Sequence, residues 1–236
     1  GLLLAMIPEF SPVVGRVHHD IYHVFTVDVH SVAAVDRLAA LARGELATAH
    51  PLASRLAAEV SRPAMLAFAT LLHDVGKAIG GKDHRQRGAL MARPILGRLG
   101  VPPEEVESAC HLILEHLTMY RLASRRDIDD PATLDEMCRA VRSREGLRDL
   151  YLLTVVDLAT TSPTSLSSWK ARMLDELFLA TDRALAPSDE RERTLETRVL
   201  EQALALLAAG PGEPPKLAQE RSEHLRSFVA AMPYRY

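Results

Sequence analysis

The sequence predicts an all-α fold, and three observations carry that expectation. Apolar residues recur at helical spacing along most of the chain. Hydrophobic residues fill 47% of the 236 positions and aromatics only 5%, so the interior must be built largely from aliphatic helix formers such as Ala and Leu. No stretch shows the strict alternation between turn residues that marks a strand.

Residues 1–25 read as an irregular segment, because Pro8, Pro12 and Gly15 interrupt them. A helix is expected from Thr26 through "VDVHSVAAVDRLAALA", with Val32, Val35 and Leu38 at helical spacing. Residues 47–62 are mixed in character. Pro63 suits the first position of a helix running through "AMLAFATLLHDVGKA". "IGGKDHRQRG" reads as a glycine-containing loop, and a helix near 89–99 stops at Gly100. "PPEEVESACHLILEHLTMY" opens with proline and acids, as a helix N-terminus favours. Residues 121–131, "RLASRRDIDDP", read as a charged connection, followed by short helices at 132–141 and 146–161. Pro163 and nearby serines separate these from a helix at 167–186. Beyond it, Ser188 caps an amphipathic helix, "GPGEPP" is a linker, and a last helix covers 216–231. Three regions are therefore expected: an N-terminal segment 1–25, a helical domain 26–186 and a helical C-terminal extension 187–236.

Charge and composition exclude several classes. Lys plus Arg number 28 against 31 acids, a net charge of −3, which speaks against a nonspecific nucleic-acid partner. No apolar run reaches the roughly 18 residues of a membrane helix. The start, "GLLLAMIPEF", has neither a basic region typical of a signal peptide nor an initiator Met. It reads as an internal cut in a longer protein. Two cysteines without a CxxC favour a reducing compartment, so a cytoplasmic location is expected.

The chemistry concentrates at His73-Asp74, which end an apolar helix, with Lys77 one turn on. Adjacent helical side chains diverge by about 100°, so both reach one ion only near a helix end or kink, and Gly76 fits that requirement. Asp157 lies inside "LYLLTVVDLA", apolar on nearly every face. A carboxylate buried there needs a cation, either a metal or a buried Arg. His30 stands beside the small residues Ala33 and Ala34, with room to reach inward. His30, His73, Asp74 and Asp157 form a mixed N/O donor set, suited to a borderline or hard divalent ion rather than a thiolate-type zinc site. His84 and His116 can add a second ion, with His23 and His111 as replacements. An isolated helical histidine is ordinarily structural, and His18, His50 and His224 are read that way.

In the order His…His-Asp…Asp the chain resembles the HD superfamily of metal-dependent phosphohydrolases. "IPEFSPVVGRVHHDIYHVFTVDVHSVAAV", "LLHDVGKAIGGKDH", "LILEHLTMYRLASRRDIDDPATL" and "LYLLTVVDLATTSPTSLSSWKARMLDELF" resemble, more narrowly, the central region of the bifunctional PII uridylyltransferase/uridylyl-removing enzymes. "FVAAMPYRY" resembles the segment before that family's ACT domains. Val29 departs from the acid expected before the first histidine, and Lys82 is an insertion in the glycine loop. The resemblance implies an HD-domain helical bundle over 26–186 and metal-dependent removal of UMP from a tyrosine of the PII nitrogen-regulatory protein. General nucleotide hydrolysis and a silent metal-binding regulatory module are the alternatives. One or two divalent ions are implied, magnesium or manganese, with iron or zinc possible. Asp74 is implied as a bridging catalytic carboxylate and Lys77 as a cation for developing phosphoryl charge, with a surface lysine as the other reading. Arg125 and Arg126 are candidates for binding phosphate or the partner protein, with a solvated charge run paired to Asp127 as the other reading. The family's nucleotidyltransferase and ACT domains are expected as neighbours, since neither signature occurs in this chain.

Overall fold

The computed structural model describes residues 1–16, 25–80, 83–128 and 130–186. The chain divides into two compact units, Gly1–Leu185 and Ala186–Tyr236, and the described elements belong to the first. The expected helices after Ser188 lie outside the described residues.

Among the described residues this unit has ten α-helices: α1 (Leu2–Met6), α2 (Val27–Ala42), α3 (Pro51–Ala58), α4 (Pro63–Leu72), α5 (His84–Arg98), α6 (Pro103–Glu115), α7 (Thr118–Arg125), α8 (Pro131–Val141), α9 (Arg144–Thr161) and α10 (Ser168–Leu185). Short 3-10 turns cover Pro8–Val13 and Val75–Ile79. Among the described residues there is no strand, and no helix is long and apolar enough to cross a membrane.

Local chemistry explains the boundaries. Proline occupies the first helical position of α3, α4, α6 and α8, where its missing N–H costs nothing. Asp130 accepts from Ala132 N at 3.0 Å to cap α8, and Ser143 accepts from Gly146 N at 3.0 Å to cap α9. Gly100, with φ of 76°, follows the end of α5 in a conformation that favours glycine.

α9 is the central element. It packs against α2, α3, α4, α6, α7, α8 and α10. Leu147, Leu150, Tyr151, Leu152, Leu153, Val155 and Val156 are all buried, as expected for a helix apolar on every side. Truncating one such Leu to Ala would cost about 2–5 kcal/mol. This packing holds Asp157, half-buried, on the helix that touches the carriers of His30 and the His73-Asp74 pair.

The structure departs from the sequence expectation in four places. Residues 1–25 are not uniformly irregular, since Leu2–Met6 and Pro8–Val13 are helical and bury Phe10 and Val13. The mixed 47–62 stretch contains α3. Half of the expected glycine loop is the first turn and a half of α5, which starts at His84. The expected charged connection 121–131 begins as α7, because the helix expected from Pro103 breaks at His116-Leu117 and resumes at Thr118.

Candidate metal centre and active site

α4 ends at Leu72, and the backbone turns at Asp74 into the Val75–Ile79 3-10 segment. That change of helix type lets two adjacent side chains serve one place. Gly76 has a different role from the kink anticipated for it. A Cβ there would lie 2.0 Å from the carbonyl oxygen of His84 and 2.6 Å from Gly88 N, so only glycine lets α5 press against this turn. The close approach carries His84 to the His73-Asp74 pair.

Two groups of metal-capable side chains result. His30, His73 and Asp157 offer ligand atoms within 4.8 Å of one another, as do Asp74, His84 and His116. His30 Nε2 lies 3.0 Å from Asp157 Oδ1, and His73 Nε2 lies 3.6 Å from the same oxygen. Asp74 faces both groups. Its Oδ2 is 3.4 Å from His73 Nε2 and 3.8 Å from His30 Nε2, while its Oδ1 is 3.8 Å from His84 Nε2 and 3.9 Å from His116 Nε2.

The far sides of three imidazoles are fixed. His73 Nδ1 lies 2.7 Å from the Thr70 carbonyl, and His116 Nδ1 lies 2.7 Å from the Ile113 carbonyl. His30 Nδ1 lies 3.2 Å from Thr160 Oγ1, whose own proton goes to the Val156 carbonyl at 2.7 Å. The hydrogen-bond network therefore assigns the N–H to Nδ1 in all three rings and turns each Nε2 lone pair inward. His30 Nε2 and His73 Nε2 then meet at 3.2 Å as two acceptors, with the Asp157 carboxylate beside them. Such a cluster requires a cation, and a divalent metal fits the donors present.

The electrostatics agree. Burial disfavours the charged form of His73, but Asp74 and Asp157 outweigh it and push the group up to about 10. Burial also works against ionised Asp74 and Asp157, yet their histidine neighbours, with Lys77 at Asp74, hold both well below the carboxylate range. Burial, helped by His73, pushes His116 down to about 4. Burial likewise lowers His84. Both are thus neutral donors near pH 7.

Lys77 is buried rather than at the surface, and its Nζ donates to Asp74 Oδ2 at 2.6 Å. A cavity of about 620 Å³ opens above the cluster. Asp74, Asp157, His84 and His116 face it, and Lys77, Tyr120, Arg125 and Lys170 stand around it. Arg126 is not among its lining and approaches Glu136 at 4.0 Å instead, beside the Arg121–Glu136 pair at 2.7 Å. His111 is also elsewhere, its Nε2 donating to the Ala140 carbonyl at 2.6 Å beside a smaller cleft. His18, His23 and His224 lie outside the described residues, and His50 is half-buried at the start of α3. Sequence reasoning passed over Thr160 and Tyr120, and it used the "SWK" stretch around Lys170 only as part of the family resemblance, without a role for the side chain. For Thr160 a signal existed: three residues after Asp157, it lies one helical turn on.

The HD domain profile matches residues 27–203, three quarters of the chain. The chain belongs to the HD domain family. HD domains bind divalent metals, and the two side-chain groups above provide for such ions, supporting a metal-dependent hydrolase module. Curated relatives named bifunctional uridylyltransferase/uridylyl-removing enzyme are similar over most of this HD chain. One from Bordetella avium is 37% identical over 210 residues, covering 89% of this chain and 24% of the relative. One from Gluconobacter oxydans is 43% identical over 178 residues, covering 75% and 19%. One from Pseudomonas aeruginosa is 35% identical over 203 residues, covering 84% and 22%. The chain thus spans about a quarter or less of the length of these relatives.

Proposed function

We propose that this HD domain is a uridylyl-removing module, which hydrolyses the phosphodiester between UMP and a tyrosine of the PII nitrogen-regulatory protein. The observation that carries the reading is Asp74, whose two carboxylate oxygens divide between two groups of inward-facing imidazoles below a roomy cavity. The names of the relatives supply the substrate class. The ions would be held by His30, His73 and Asp157 on one side and by His84 and His116 on the other, with Asp74 shared; this imidazole-rich set suits manganese, iron or zinc better than magnesium, which prefers oxygen ligands. Bound there, a divalent ion lowers the pKa of water toward neutrality and polarises phosphoryl oxygens.

The chain's own groups do the rest. Water gives one proton to solvent and its oxygen adds to phosphorus as the bond to the tyrosine oxygen breaks; that oxygen takes up the second proton, leaving UMP and a free tyrosine. A phenol has a pKa of about 10, so this leaving group needs little acid assistance. Lys77 fixes Asp74 and lowers the field of its carboxylate, while Arg125 supplies positive charge for the phosphodiester. Arg126, directed to Glu136, suits a contact with the partner protein outside the cavity. In this reading the module works in the cytoplasm beside nucleotidyltransferase and ACT domains.

The test is hydrolysis of uridylylated PII by wild type and Asp74→Ala, with free nucleotides assayed in parallel and helix content followed by circular dichroism. Wild type should release UMP from PII with little action on free nucleotides, and Asp74→Ala should be inactive though folded. Full activity in Asp74→Ala sinks the mechanism, and preference for free nucleotides sinks the substrate.

A further inference from the structure

The phosphodiester occupies only part of a cavity of about 620 Å³, a size that holds a whole nucleotide. What lies away from the metal cluster therefore bears on which nucleotide fits. Lys170 lines the same cavity from the first turn of α10. Its Nζ donates to the Ser165 carbonyl at 2.9 Å and sits 5.5 Å over the centre of the Tyr120 ring. The Ser165 turn is itself fixed: Ser165 N donates to the Ser162 carbonyl at 3.2 Å, and the two hydroxyls meet at 2.6 Å. An ammonium has three donors, and the Ser165 carbonyl takes one. Lys77 is different, because Asp74 neutralises it at 2.6 Å. No carboxylate lies within ion-pair distance of Lys170 among the described residues.

We propose that Lys170 is a specificity residue, donating to the carbonyl-bearing edge of the pyrimidine in a uridylyl substrate, and that Tyr120 is its positioning residue. The proposal rests on the hydrolase reading above for where the phosphate lies. Each uracil carbonyl is an acceptor that a spare N–H group, held in place by an aromatic face and a backbone oxygen, can meet; the two flank an N3–H donor, so the ammonium serves one of them. Adenine offers no carbonyl and would gain nothing from this ammonium.

Equilibrium binding of UMP, AMP and inorganic phosphate to the manganese-loaded full chain, by calorimetry, tests it. Lys170→Gln should weaken UMP by about 10-fold, the size of one charged hydrogen bond, and leave AMP and phosphate within about 2-fold. Tyr120→Leu should show a smaller loss with the same selectivity, and Tyr120→Phe, which keeps the ring, should match wild type. Unchanged UMP binding in Lys170→Gln overturns the proposal, as does an equal loss for all three ligands, which would make Lys170 a general anion contact. Hydrolysis of uridylylated PII is read separately. Lys170-dependent UMP binding without any hydrolysis removes the hydrolase reading alone, and hydrolysis without Lys170-dependent UMP binding removes this proposal alone.

Discussion

His30 Nε2 and His73 Nε2 face each other at 3.2 Å although both rings have their Nδ1 atoms committed elsewhere. Two imidazole lone pairs at that separation repel. The carboxylates of Asp157 and Asp74, at 3.0 Å from His30 and 3.4 Å from His73, add negative charge to the same point. In the absence of a metal a proton must answer this field, which is why His73 is held protonated to about 10. The cluster thus favours a bound cation, and a second ring of contacts orients the side chains that would hold one.

Thr160 belongs to that second ring. Its hydroxyl gives its proton to Val156 and accepts from His30 Nδ1, so it fixes both tautomer and orientation. Thr160→Val keeps the shape and removes the acceptor. Manganese affinity, measured by calorimetry, should fall by roughly 10- to 100-fold. Thr160→Ser should retain it. Equal affinity in the Val variant would mean that packing alone orients His30.

Gly76 tests whether the approach of α5 builds the second group. Its missing Cβ leaves room for the His84 carbonyl, a backbone atom that cannot swing aside. Gly76→Ala should destabilise the fold by about 3 kcal/mol, the upper range for overpacking. Gly97→Ala is the control: it lies in α5 itself with nothing within 4 Å of its would-be Cβ, and should stabilise by about 0.5–1 kcal/mol. Urea denaturation of both variants supplies the comparison. A Gly76 variant as stable as wild type would show that α5 can retreat without cost.

The long helices were legible because their apolar spacing coincides with what the bundle buries, as in α2 and α9. The break at His116 was not, since "HLTMY" continues the helical pattern and the interruption comes from tertiary packing. The rule that a carboxylate in an apolar helix needs a cation singled out Asp157, but the same helix holds Asp149, more deeply buried. Asp149 lies 3.6 Å from Arg148 Nε, and burial still raises its pKa against Arg148 and Arg62. The rule finds buried acids and does not say which cation answers them. Arg125 and Arg126 show the same limit, as adjacent residues whose side chains part at the end of α7, one to the cavity and one to Glu136.

Metal should stabilise the folded chain, by an amount that grows with the logarithm of its concentration above the dissociation constant. A divalent ion at 100 times its dissociation constant adds about 2.7 kcal/mol, which for a domain of this size raises the melting temperature by roughly 5–10 °C. Adding manganese to chelator-treated protein in a thermal shift assay should show such a rise. Asp157→Asn, which removes the charge shared by His30 and His73, should lose more than half of it. An unchanged shift in that variant would place the stabilising ion elsewhere.

A pH-dependent contribution comes from a pair outside the metal cluster, Tyr151 and Asp175. Tyr151 Oη donates to Asp175 Oδ1 at 2.5 Å across the α9–α10 interface. Burial raises the Asp175 pKa above its ordinary 3.8, with the Tyr151 hydrogen bond and His50 opposing. A carboxyl whose folded-state pKa exceeds its unfolded value favours the folded state fully only below 3.8. That contribution is lost as pH rises through the folded-state pKa. Tyr151→Phe removes one of the groups that eases ionisation, so the folded-state pKa moves higher still. The variant should therefore lose about 1–2 kcal/mol relative to wild type at pH 7, where Asp175 must be charged without its donor. The deficit should shrink toward pH 4, where protonated Asp175 no longer needs that donor. Urea denaturation at both pH values reads this directly, and an equal deficit at each would assign the loss to packing of the Tyr151 ring against Phe178, 4.9 Å away between centroids.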